Sequence, residues 1–253
     1  MGREAGSDRV GRLPRTGPCC GISFCVYLEL LEQTHARGLN SNVSLKLTQF
    51  GIDVSEAACR ENVSAVVKRA CELGNFVRVD MESSAYTDRT LALVADLHGV
   101  CPNVGVVIQA YLYRSEGDTE ELIRRGIRVR LCKGAYDEPP LVAFPKKSQV
   151  EQNFEKLARR LLVEGNYPAL ATHDERPILA AIRFAEEKGI AKTAYEFQML
   201  YGIRRDLQAR LVAEGHRVRV YVPFGEAWYP YLMRRLAERP ANAYFVARHL
   251  FRR

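Results

Sequence analysis

Long apolar runs are missing from these 253 residues: nowhere do the roughly 20 consecutive apolar residues of a membrane-spanning helix occur. Residues 21–31 form a short apolar patch, but Glu29 interrupts it and no convincing cleavage site follows, so a signal peptide is a poor match. Long basic runs are missing too. The chain has 37 Lys and Arg against 30 Asp and Glu, a formal charge of +7, yet the cations are interleaved with acids along segments of helical spacing. Tyrosines and phenylalanines fall inside strand-like runs rather than beside a basic stripe, which ranks nucleic-acid binding below the capture of small anions. The seven cysteines include no C-x-x-C pair and no ordered histidine partners. That usage suits the reducing cytoplasm and argues against a zinc or other metal site.

What is present suffices for a large core. At 47% hydrophobic residues, the chain can bury one sizeable domain. Strand-like runs at 43–47, 76–81, 105–111, 127–132, 168–173, 193–200 and 217–224 alternate with helical spacing at 59–73, 87–98, 150–164 and 176–188. Such alternation predicts parallel strands covered by helices. Seven strands are one short of a closed (β/α)8 barrel. The missing strand is the first, because residues 27–38 already read as the helix before the 43–47 strand. Either residues 21–26 supply an aberrant strand or the chain lacks it.

In a barrel, function collects where the strands end at their C-terminal side. The polar residues there are Lys46, Asp80 with Glu82, Gln109, Arg130 with Lys133, Thr172 with His173, Glu196 with Gln198, and Tyr221. Singly, Lys46 could pair with Asp80 and His173 could be a hydrogen-bonded core histidine. As a set, so much charge in a barrel mouth is costly as packing and points to a working site.

The last strand leads into a further cluster. Val218, Val220 and Val222 alternate with Arg219 and Tyr221, and Pro230 suits the first turn of a helix that stops before Pro240. Tyr231 precedes Arg234 and Arg235 by three and four residues, so ring and guanidinium groups share one helix face. Guanidinium groups pair bidentately with a carboxylate, and a ring face suits an apolar body attached to it. A small amino or hydroxy acid fits that description. Taken alone, the two arginines read first as a solvated helix face, the usual fate of arginine.

Together these segments resemble proline dehydrogenase, in its short bacterial, flavin-dependent form. The matching pieces are residues 43–49 (VSLKLTQ), 79–82 (VDME), 108–111 (IQAY), 130–136 (RLCKGAY), 171–174 (ATHD) and 196–202 (EFQMLYG), in the family's order. The resemblance covers about residues 27–251. It implies a distorted (β/α)8 TIM-like barrel, with FAD lying across the strand ends and L-proline between the flavin and the last helix.

By this resemblance, Lys46, Arg234 and Arg235 hold the proline carboxylate, and Asp80 tempers their excess positive charge. Tyr136, Leu200, Tyr221 and Tyr231 wall the substrate ring. Arg130 lies beside the reactive edge of the flavin, Gln109 offers its amide to the ring, and Met81 is set against the cofactor. Lys133, Gly134 and Ala135 match the pyrophosphate and ribityl contact, and Thr172 and His173 match further FAD contacts. Glu238 is equally a helix-surface partner of Arg234 or Arg235.

The reaction implied is oxidation of L-proline to Δ1-pyrroline-5-carboxylate, with electrons passed from FAD to a membrane quinone. The enzyme would then be cytoplasmic, touching the inner face of the membrane transiently. Residues 1–26 show no counterpart of the family's first strand, whereas residues 27–253 read as the FAD-binding barrel domain. Open sheet edges favour association, so marginal stability, a truncated start or a weakly active remnant of the family is expected. Another flavin-binding barrel oxidoreductase is the remaining alternative.

Overall fold

Seven short β-rich runs become seven parallel strands in the computed structural model, which describes residues 20–224. They are β1 Val43–Leu45, β2 Val77–Val79, β3 Val104–Gln109, β4 Arg128–Cys132, β5 Ala169–Ala171, β6 Glu196–Leu200 and β7 Val218–Tyr221. Their spatial order is their chain order, so each connection steps to the adjacent strand. Parallel neighbours need crossovers. Helices α1 Cys20–Ala36, α2 Glu56–Glu72, α3 Thr87–Val100, α4 Ser115–Arg124, α5 Lys147–Glu164, α6 Glu175–Glu187 and α7 Arg205–Ala213 supply the covering layer. None of them is long and apolar enough to cross a membrane.

Local chemistry fixes these helices. Ser55 and Asp174 cap the starts of α2 and α6 by accepting from the backbone N–H groups of Ala58 and Arg176. In α5, Phe154, Leu157, Ala158, Leu161 and Leu162 fall on one face and are buried. They pack in the apolar layer with Val77, Val79, Val106, Ile108, Val129, Leu131 and Phe197 from the sheet. Each such aliphatic or aromatic side chain contributes roughly 1.5–3 kcal/mol when fully buried. The other face of the strands turns inward and is polar, and there the site is built.

Residues 21–26 do not form a strand. They belong to α1, where Phe24, Tyr27, Leu31 and Thr34 recur at helical spacing against the core. The interrupted apolar patch is therefore part of a helix, not a strand. Among the described residues β1 and β7 remain the two edges of the sheet, a curled half-barrel rather than a closed one. Side chains cross the gap instead: Arg219 Nη1 donates to the Asn40 carbonyl at 3.2 Å.

One cysteine pair is not foreseen from the sequence. Cys71 in α2 and Cys101 just after α3 form a disulfide, with Cα atoms 6.5 Å apart, while Cys25 and Cys132 are free thiols. A spacing of 30 residues conceals such a pair from any local motif.

Candidate active site

Asp80 follows β2, and its two carboxylate oxygens collect partners from three other strands. Oδ1 accepts from Arg130 Nη2 on β4. Oδ2 accepts from Lys46 Nζ at 3.4 Å, just past β1, and from the Tyr221 hydroxyl at 3.2 Å on β7. Arg130 extends the network through Nη1 to Gln198 Oε1 at 3.2 Å, and its guanidinium lies 5.3 Å from the centre of the Tyr221 ring. Asp80, Arg130 and Gln198 are buried, whereas Lys46 is about one-third exposed in its side chain. The strongest electrostatics therefore fall on the Asp80–Arg130 pair. Burial, then the Asp80 charge, raises the Tyr221 phenol above its ordinary value, so it is a donor throughout the physiological range.

Two residues further on, Glu82 accepts from the backbone N–H of Thr48 at 3.1 Å and from its hydroxyl at 2.7 Å, fixing the turn that carries Lys46. Tyr27 of α1 performs a similar task. Its hydroxyl donates to the Ser44 carbonyl at 2.8 Å, and burial raises its phenol above the usual range. The helical face shared with Phe24 and Leu31 would have revealed it as a second wall of β1. Tyr27→Phe keeps the ring and leaves that carbonyl without its donor, so a loss of about 1 kcal/mol is expected in urea unfolding. An unchanged midpoint would show that the bond contributes nothing.

The positions expected to touch a cofactor spread along the same rim. Gln109, at the end of β3, is buried and its Oε1 has no partner. Gly134 has φ +113°, and a Cβ there would collide with the Tyr111 ring. Lys133 contacts Asp174 at 3.2 Å and Glu151 at 3.4 Å. Burial opposes ionisation of Asp174, yet hydrogen bonds from Arg176 and Lys133 hold its carboxyl down to about 2. The Thr172 hydroxyl accepts from the Asp174 N–H at 3.1 Å, and His173 Nε2 accepts from the Leu200 N–H at 2.9 Å, which ties β5 to β6. Burial pushes the Cys132 thiol up to about 11, in keeping with an inert packing residue.

Not every expected residue joins the central cluster. Met81 is buried in the apolar core, Leu200 is half-buried, and Ala135 and Tyr136 are exposed on the loop after β4. Tyr231, Arg234, Arg235 and Glu238 lie outside the described residues.

A carboxylate bound by lysine, arginine and tyrosine at the strand ends of a parallel half-barrel can now be set beside known proteins. The profile of the proline dehydrogenase family matches residues 24–248. The chain belongs to the proline dehydrogenase family. It is 45% identical over 230 residues to a proline dehydrogenase of Deinococcus radiodurans, covering 89% of this chain and 74% of that protein. It is 42% identical over 265 positions to proline dehydrogenase 1 of Bacillus subtilis strain 168, covering 99% of this chain and 88% of that one. Among solved structures, proline utilization A from Bdellovibrio bacteriovorus, inactivated by N-propargylglycine, superposes with a TM-score of 0.78 at 29% identity. That match covers 86% of this chain, which spans only 28% of the larger protein. Membership in the proline dehydrogenase family makes the chain an oxidoreductase of proline catabolism on a TIM-like barrel scaffold.

Proposed function

We propose that this proline dehydrogenase oxidises L-proline with FAD in the mouth above Asp80, and the observation that carries the reading is the convergence of Lys46, Arg130 and Tyr221 on that carboxylate. The residues present fit a flavin. The unpartnered Gln109 Oε1 is an acceptor suited to a ring N–H, and the Arg130 guanidinium is a fixed cation carried by the neighbouring strand β4. When bound, FAD would be the two-electron acceptor for the proline ring carbon beside nitrogen, with Δ1-pyrroline-5-carboxylate as product and a membrane quinone as final acceptor.

The chain's own contribution is orientation and electrostatics. Lys46, with Arg234 and Arg235, would fix the proline carboxylate, and Asp80 keeps Lys46 and Arg130 at a constant spacing before substrate arrives. Arg130 would stabilise negative charge arriving on the cofactor. Tyr221, joined by Tyr136, Leu200 and Tyr231, would shield the ring from water. Lys133, Gly134, Ala135, Thr172, His173 and Met81 would make the remaining cofactor contacts. Contact with an anionic membrane surface would be transient and electrostatic.

Purified protein should show flavin absorbance, and anaerobic L-proline should bleach it. Protein without flavin would sink the cofactor assignment, and flavin that proline leaves unbleached would mark a non-catalytic member of the family. Arg234→Ala should raise the apparent KM for proline tenfold or more, since one charge-assisted bond is worth about 1.5–3 kcal/mol. An unchanged KM in an active variant would remove Arg234 from the carboxylate site.

A further inference from the structure

At the opposite, N-terminal end of the sheet lies a second polar chamber that the oxidation of proline does not use. It is a cavity of about 320 Å³ bounded by the turn before β1, including Ser41 and Asn42, and by the turn before β2. Arg78 of β2 lines it. This side chain is 2% exposed, and neither its Nε nor its Nη1 has a hydrogen-bond partner. Its nearest compensation is the ring of Phe76, whose centre is 5.0 Å from the guanidinium carbon. Burial pushes Arg78 down to about 9, which still leaves it cationic at neutral pH. Glu196 and Asp80 act on it electrostatically, but no carboxylate hydrogen-bonds to its Nε or Nη1, and a buried cation left so unsatisfied is costly.

The neighbouring charges do not supply the missing anion. Three guanidinium groups, those of Arg78, Arg128 and Arg219, line the chamber against one carboxylate, Glu196. Glu196 is already engaged: Arg219 Nε reaches its two oxygens at 3.0 and 3.1 Å, the Tyr167 hydroxyl donates at 3.2 Å, and Gln198 Nε2 donates as well. Arg128 lies over the rings of Phe76 and Tyr167, at 5.2 and 5.3 Å. A partly open chamber with surplus positive charge, lined by a guanidinium group with two idle N–H donors, has the chemistry of an oxyanion pocket.

We propose that this chamber binds a small oxyanion, a phosphate or a carboxylate, with Arg78 as its principal ligand. The site is distinct from the Asp80 cluster and does not depend on flavin or on turnover. Inorganic phosphate and sodium acetate, titrated separately into the purified protein at constant ionic strength, are the probes, with the melting temperature as readout. At least one of them should raise the wild-type midpoint saturably, and Arg78→Met should abolish the rise. A response to phosphate alone assigns a phosphoryl ligand, and a response to acetate alone assigns a carboxylate. Because Arg78→Met alters a buried residue, exposed Ser41→Glu is the second variant. It places a carboxylate at the mouth without touching the core and should weaken the apparent affinity at least tenfold. The proposal is overturned if neither anion moves the wild-type midpoint, or if either variant responds as the wild type does.

Discussion

Asp80→Asn is expected to lower the melting temperature by roughly 6 to 20 °C, because removing one partner of a buried pair costs about 3–5 kcal/mol and each kcal/mol shifts a domain of this size by about 2–4 °C. The substitution keeps the shape of the side chain, removes its charge and replaces one of its two acceptor oxygens by a donor. Arg130 and Lys46 then face one another with no anion between them, and the new amide N–H groups point at cations. Arg130 cannot relax far: it is buried, and its second contact, with Gln198, is a neutral one. The control is Asp96→Asn, which breaks the pair with Arg60 on the surface, where both side chains are more than 40% exposed. That pair should contribute about 0–1 kcal/mol. Equal midpoints for the two variants would mean that the Asp80 cluster is solvated like any surface pair. Its role as a rigid seat for substrate and cofactor would then fail.

The same cluster shows which parts of the protein could be read before the structure. Short β-rich runs between stretches of helical spacing gave away every strand, with valines alternating with polar residues in β2, β4 and β7. Lys46, Asp80, Arg130 and Tyr221 were legible as strand-end polar residues, and the structure unites them. What stayed hidden has physical causes. Helix α4 buries Ser115, Thr119 and Leu122, so its inner face is closed partly by hydroxyls and shows little apolar rhythm. Helix α7 has only Leu207 and Leu211 buried. In V-R-V at β2 the arginine looks like the wet side of a strand, whereas here that side faces the barrel interior and Arg78 is buried. Alternation identifies two faces. It cannot say which of them meets water when the inner face is polar.

Gly134 provides the second large effect, and it bears on how the segment after β4 is aimed. Gly134→Ala should destabilise the protein by about 2–6 kcal/mol, the sum of about 1–3 for a side chain in a sparsely populated backbone region and about 1–3 for overpacking. The two causes are separable. Gly134 has φ +113°, and the added Cβ would meet the ring of Tyr111, which is buried with its hydroxyl lacking a partner. The backbones are pinned together as well, since the Tyr111 N–H donates to the Lys133 carbonyl at 2.9 Å. Tyr111→Val removes the ring, and the double-mutant cycle cancels the cost of doing so. If the ring collision dominates, Gly134→Ala should cost at least 1 kcal/mol less in the Tyr111→Val background. If backbone strain dominates, the cost is the same in both. A collision result also predicts that flavin retention lost in Gly134→Ala returns in the double variant, because the path of residues 133–135 would then be set by the Tyr111 ring. Equal costs with flavin still retained would instead leave that path to the glycine's own backbone and separate cofactor binding from the packing beneath it.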